Sequence, residues 1–107
     1  MSWTVETLGV VVDRELEALP LDQRAKFLRI AELIEANGLD RVREPYVKHL
    51  DGPLWEIRLR GRDGISRAIY VPASGRRVVV VRVFVKKTQK TPRRELRLAF
   101  ERAKEVG

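Results

Sequence analysis

Apolar and polar residues recur along this chain with two different periods. From Leu8 to Leu19 the apolar residues Leu8, Val11, Val12, Leu16 and Leu19 return at helical spacing, with Asp13, Arg14, Glu15 and Glu17 between them, which predicts a helix with one buried stripe. Pro20 suits a first helical turn, Leu21 to Ala36 places Phe27, Ile30, Ala31 and Ile34 on one face, and Gly38 ends the run. Together these segments predict a helical hairpin whose two stripes cover one face of a sheet. Trp3 to Glu6 reads as a short first strand. Leu39 to Pro53 reads as an ordered loop, anchored by Tyr46 and Val47 and closed by an Asp51-Gly52-Pro53 turn.

The period then changes to two. Leu54 to Arg60 sets Trp55, Ile57 and Leu59 on one face and Glu56, Arg58 and Arg60 on the other. Gly61-Arg62-Asp63-Gly64 makes a turn, and Ile65 to Val71 returns antiparallel, which brings Arg67 near Arg58. Val78 to Val85 is almost wholly β-branched or aromatic and predicts a central strand buried on both faces. Thr91 is a suitable N-cap with Pro92 at the first helical position. Leu96, Ala99, Phe100, Ala103 and Val106 mark the buried side of a last helix. The expectation is one α+β domain over residues 1–107: a small antiparallel sheet, an N-terminal helical hairpin packed on one face, and a C-terminal helix.

Charge sharpens this picture. The 107 residues carry a net charge of +7, but residues 1–40 hold 4 basic and 8 acidic side chains while residues 41–107 hold 18 and 7. Cations sorted into one part of a chain make a directional field that draws phosphates or an acidic protein segment. With no cysteine there is neither a disulfide framework nor a thiolate metal site. No spacing of His, Asp and Glu suggests a metal site, so no cofactor is expected. Nothing in the sequence looks like a signal peptide or a membrane span, and a cytoplasmic protein is expected.

The central strand ends in Lys86, Lys87 and Lys90 and carries Arg82, and the first turns of the last helix carry Arg93, Arg94 and Arg97. Cations at a helix N-terminus oppose its dipole, so an anionic partner is a better reason for them than stability. Lysines at a strand end also discourage edge pairing, and Trp55 at strand spacing suits a core. Two arginines facing each other across a hairpin, Arg58 and Arg67, are unfavourable unless an anion lies between them. Both are therefore expected to bind phosphate, since the guanidinium fork holds two phosphate oxygens at once and keeps its charge at any working pH.

The series Tyr46-Val47-Lys48-His49-Leu50, Leu54-Trp55-Glu56-Ile57-Arg58, Gly64-Ile65-Ser66-Arg67-Ala68-Ile69-Tyr70 and Phe84-Val85-Lys86-Lys87-Thr88-Gln89-Lys90-Thr91-Pro92 resembles the HigB branch of the RelE/ParE toxin superfamily. The resemblance implies a microbial-ribonuclease-like fold and the toxin of a type II toxin–antitoxin module. Such a toxin cleaves mRNA in the ribosomal A site and is silenced by a cognate antitoxin. It implies catalytic roles for Arg58, Arg67 and Lys87. Glu56 stands where relatives carry a second strand lysine, and Arg82 where many carry a histidine.

Metal-free RNA cleavage needs the 2′-hydroxyl deprotonated, the phosphorane's charge stabilised and the leaving oxygen protonated. Arg58 and Arg67 are expected to stabilise the phosphorane, and Lys86 or Lys87, with its ammonium form disfavoured among cations, to act in proton transfer. Glu56 and His49 compete for that role. Lys48, Arg60, Arg82, Lys90, Arg93, Arg94 and Arg97 are expected to hold RNA or ribosome backbone, or an antitoxin's acidic segment. Two further readings are a ParE-like toxin acting on DNA gyrase and a nucleic-acid-binding module without cleavage.

Overall fold

A computed structural model describes residues 2–87 and 89–107; Thr88 of the Lys-Lys-Thr run lies outside it. Five strands are present: β1 (Thr4–Thr7), β2 (Val47–Asp51), β3 (Leu54–Gly61), β4 (Gly64–Ala73) and β5 (Arg77–Lys86). Among the described residues three α-helices accompany them: α1 (Val10–Glu17), α2 (Leu21–Asn37) and α3 (Arg93–Ala103). The strands form one sheet in the order β1-β5-β4-β3-β2. The predicted hairpin is in register, with Gly61 opposite Gly64 and Arg58 opposite Arg67.

Each face of the sheet has its own apolar layer. On one, Ile57, Leu59, Ala68, Tyr70, Val78, Val80 and Val83 meet Val12, Leu19, Phe27, Ile30 and Ile34 from the α1–α2 hairpin. On the other, Leu54, Ile69, Val71, Val79 and Val81 meet Leu96, Ala99, Phe100 and Ala103 of α3. An eleven-residue helix covers only part of a sheet face, so α3 leaves the far ends of β3, β4 and β5 bare. Arg58, Arg60 and Lys86 stand there.

Four expectations are corrected. The segment taken as a loop contains β2, which pairs antiparallel with β3 through Val47–Ile57, Lys48–Glu56 and His49–Trp55. The sheet is mixed, because β1 runs parallel to β5, and β5 lies between β1 and β4 while β4 is the middle strand. Leu8 precedes α1 and donates its N–H to Val80 (2.9 Å), prolonging the β1–β5 pairing, and Val11 is exposed, leaving Val12, Leu16 and Leu19 as the stripe. Finally, Pro92 is the N-cap of α3, with no side-chain cap. The Thr91 hydroxyl instead accepts a hydrogen bond from Arg67 Nη1.

The border of β5 beyond β1 is closed by side chains. A bulge between Val80 and Arg82 shifts the register with β4 and frees backbone groups that need partners. Glu15 of α1 accepts the Val83 N–H (3.0 Å) and Arg102 of α3 donates to the Val81 carbonyl (2.9 Å). These two side chains are themselves paired at 2.9 Å. On the outer side of β1, the Val5 N–H donates to Glu35 of α2 (3.0 Å).

Candidate functional site

Directly opposed residues on neighbouring strands share a face, so the register arranges the α3 side of the sheet in rows. Lys48, Glu56, Ile69 and Arg82 form one row, Arg58, Arg67 and Phe84 the next, and Arg60, Ile65 and Lys86 the last. Beside the last two rows opens a hollow of about 390 Å³ lined by Lys26, Tyr46, Arg58, Arg60, Lys86 and Gln89, with Pro45 and Ile65. Its walls come from α2, the turn before β2, three strands and the segment after β5.

The anion that two facing arginines require is built in. Glu56 is fully buried and pairs with Arg67 Nη1 at 2.9 Å and with Arg58 Nε at 3.4 Å. Arg67 is 3% exposed. It also donates to the Gln89 carbonyl (2.9 Å) and to the Thr91 hydroxyl, and so pins Gln89 and Thr91 against the sheet. Burial moves its pKa below the usual arginine value, Glu56 works against that, and Arg58 adds to it. Arg58 differs: its side chain is 35% exposed and, among the described residues, makes only the longer contact with Glu56, which leaves guanidinium nitrogens facing the hollow.

Lys86 stands at the end of the last row. Its pKa is depressed from the ordinary lysine value, first by burial and then by Arg67, with smaller effects of the same sign from Arg58 and Lys48 and an opposing one from Glu56. Lys87 is exposed, one residue past β5, and is not among the residues lining the hollow. Arg93, Arg94 and Arg97 are exposed on the first turns of α3, and Lys48 and Lys90 are also exposed.

Other candidates lie elsewhere. Arg82 is held by Glu95 of α3 (2.6 Å) and Glu15 of α1 (2.8 Å), which raise its pKa despite burial, the Glu95 hydrogen bond most. Its guanidinium is 5.8 Å from the centre of the Phe84 ring, and Phe84 is buried against α3. His49 is opposite Trp55, on the α1–α2 face, with Nε2 2.9 Å from the Gly52 carbonyl and its ring edge-on to Trp55 at 4.9 Å. Both line a separate cleft of about 540 Å³ with Trp3, Val42, Val47 and Tyr70.

Tyr70 is fully buried, and its hydroxyl has no hydrogen-bond partner among the described residues. Burial raises its pKa, so the phenol stays neutral. An unpaired buried hydroxyl contributes nothing to offset its desolvation, and Tyr70→Phe is expected to leave the unfolding free energy unchanged or raise it by up to about 1 kcal/mol. A clear loss in urea denaturation would reveal a partner for that oxygen.

Sequence reasoning passed over Lys26 and treated Tyr46 as an anchor only. The signal for Tyr46 was its place next to buried Val47: a residue one step from an inward-facing strand position faces outward. Lys26 has no comparable signal, because only the packing of α2 on β3 brings it to the hollow.

A family model described as phage-derived protein Gp49-like matches residues 14–104. No curated protein matches the chain. Among solved structures, the chain is similar to a chain of the archaeal RelE–RelB complex from Pyrococcus horikoshii OT3, with 24% identity, a TM-score of 0.57, and coverage of 79% of this chain and 96% of that one. The fold is therefore the RelE fold that the sequence motifs imply.

Proposed function

The chain belongs to the family of phage-derived Gp49-like proteins, and from that membership we propose that it is the toxin of a type II toxin–antitoxin module, of the HigB type, that cleaves mRNA in the ribosomal A site without a metal. The observation that carries this reading is the hollow in which Arg58, Arg60 and Lys86 meet above the buried Glu56–Arg67 pair. Two strands, β3 and β5, supply cations to one small concavity, and the more exposed guanidinium of the central pair faces it.

In this reading Arg58 takes two oxygens of the scissile phosphate, and its charge is worth more as the phosphorane's charge grows. Neutral Lys86 removes the proton from the 2′-hydroxyl. The 2′-oxygen attacks phosphorus, the bond to the 5′-oxygen breaks, a 2′,3′-cyclic phosphate is left on one fragment, and the departing oxygen takes a proton from solvent. Arg67 and Glu56 form the floor that fixes Arg58. Arg60, Lys48, Lys87, Lys90, Arg93, Arg94 and Arg97 hold backbone of the message and the ribosome around it.

The test is addition of the purified protein to a translation extract, followed by mapping of mRNA 5′ ends. New ends at codon positions are expected. Intact mRNA together with inhibited supercoiling would select a gyrase-directed toxin instead. The similar archaeal chain was solved as a RelE–RelB complex; by analogy the partner here is an antitoxin, with acidic groups facing the hollow and the exposed arginines of α3.

Lys86 gives a pH signature. A lysine pKa below the ordinary value leaves a larger neutral fraction at any given pH, so cleavage should rise with pH and level off above that depressed pKa. Lys86→Arg keeps the charge but releases no proton in this range. The variant should lose the rising limb and about 10²-fold or more in rate. An unaltered limb would remove Lys86 from proton transfer.

A further inference from the structure

We propose that Tyr46 is the seat for a nucleobase of single-stranded RNA, next to the phosphate that Arg58 holds. The inference rests on the reading that RNA occupies the hollow, and adds to it the group that receives the base.

Tyr46 is 39% exposed, a large ring turned outward next to Val47, which is 5% exposed. It lines the hollow together with Arg58, Arg60, Lys86 and Lys26. Its carbonyl accepts the Arg58 N–H at 2.8 Å, so the ring is rooted on the backbone beside Arg58. The Lys26 ammonium is 5.7 Å from the ring centre, within the range of a cation–π contact.

A flat apolar surface among cations serves no packing purpose for the core: Tyr46 belongs to neither apolar layer. A nucleotide presents the matching pair of features, a π face and an anion about one residue's length apart. Stacking on an aromatic side chain accepts any base, since every base has such a face. Lys26 is placed to serve a neighbouring phosphate. The hollow would therefore hold RNA through one ring and several charges, with the message's base fixed by Tyr46 while its phosphate is presented to Arg58 and Lys86.

The experiment measures binding, at low salt, of a short oligouridylate and of an abasic ribose-phosphate oligomer of the same length. The parent, Tyr46→Leu, Tyr46→Phe and Arg58→Ala are compared. Tyr46→Leu should bind oligouridylate about tenfold more weakly and the abasic oligomer as the parent does. Tyr46→Phe should bind both normally, and Arg58→Ala should lose affinity for both. In the parent, the Tyr46 ring resonances should move on adding oligouridylate and stay in place with the abasic oligomer, a readout that does not require any variant to fold. If Tyr46→Leu binds oligouridylate as well as the parent, or weakens both oligomers equally, the seat is overturned while the RNA reading stands. If the parent binds neither oligomer, the RNA reading fails and the seat fails with it.

Discussion

Arg67→Ala is expected to lower the unfolding midpoint by roughly 15 °C, the largest effect of any single substitution on this face. The cause is the carboxylate it abandons. Glu56 is fully buried, and its 2.9 Å contact is with Arg67. Without that partner it keeps, among the described residues, only the 3.4 Å contact to Arg58. Breaking a buried pair from one side costs about 3–5 kcal/mol, whereas replacing both members by apolar residues of similar volume is often neutral. The double variant Glu56→Leu/Arg67→Met should therefore recover most of the loss. A thermal melt of Arg67→Ala within a few degrees of the parent would show that Glu56 does not depend on it. A loss of cleavage in Arg67→Ala alone would say little about chemistry, because Gln89 and Thr91 are tied down through the same side chain.

Arg58→Ala is expected to do the opposite: a fall in cleavage of about 10²- to 10³-fold, the usual cost of removing one donor to a developing oxyanion, with the midpoint shifted by only a few degrees. Arg58 has a side chain 35% exposed and a long contact with Glu56, so little folding energy depends on it. Arg58→Lys should restore part of the rate, since it returns the charge without the planar fork. Cleavage by Arg58→Ala at the parent rate would remove the phosphate-binding role and with it the proposed centre. The contrast separates the two facing arginines, one holding the structure and the other lining the hollow.

The sequence made the β3–β4 hairpin legible because alternation and a glycine-flanked turn agree on one register, and that register put Arg58 opposite Arg67. The stripes of α2 and α3 were legible for the same reason. β2 was hidden: its residues are Val-Lys-His-Leu-Asp, and a register shift between His49 and Asp51 breaks the alternation. The built-in anion was anticipated as a need but sought outside the chain; that Glu56 fills it follows from burial, which no periodicity encodes. Strand parity puts Lys86 on the face of Arg58 and Arg60. That placement was open in sequence because the end of β5 was not fixed to one residue, and only pairing of Ile65 with Lys86 fixes it. Arg82 read as one more cation for a ligand, until α1 and α3, distant in sequence, supplied Glu15 and Glu95.

The plugs along the β1–β5 border also govern how molecules meet. A strand edge with idle amides and carbonyls invites a second chain to extend the sheet. Here Glu35, Glu15 and Arg102 already engage Val5, Val83 and Val81, so an approaching strand would first have to evict a carboxylate or a guanidinium. Crowded copies of this protein are thereby turned away from stacking edge to edge on that flank.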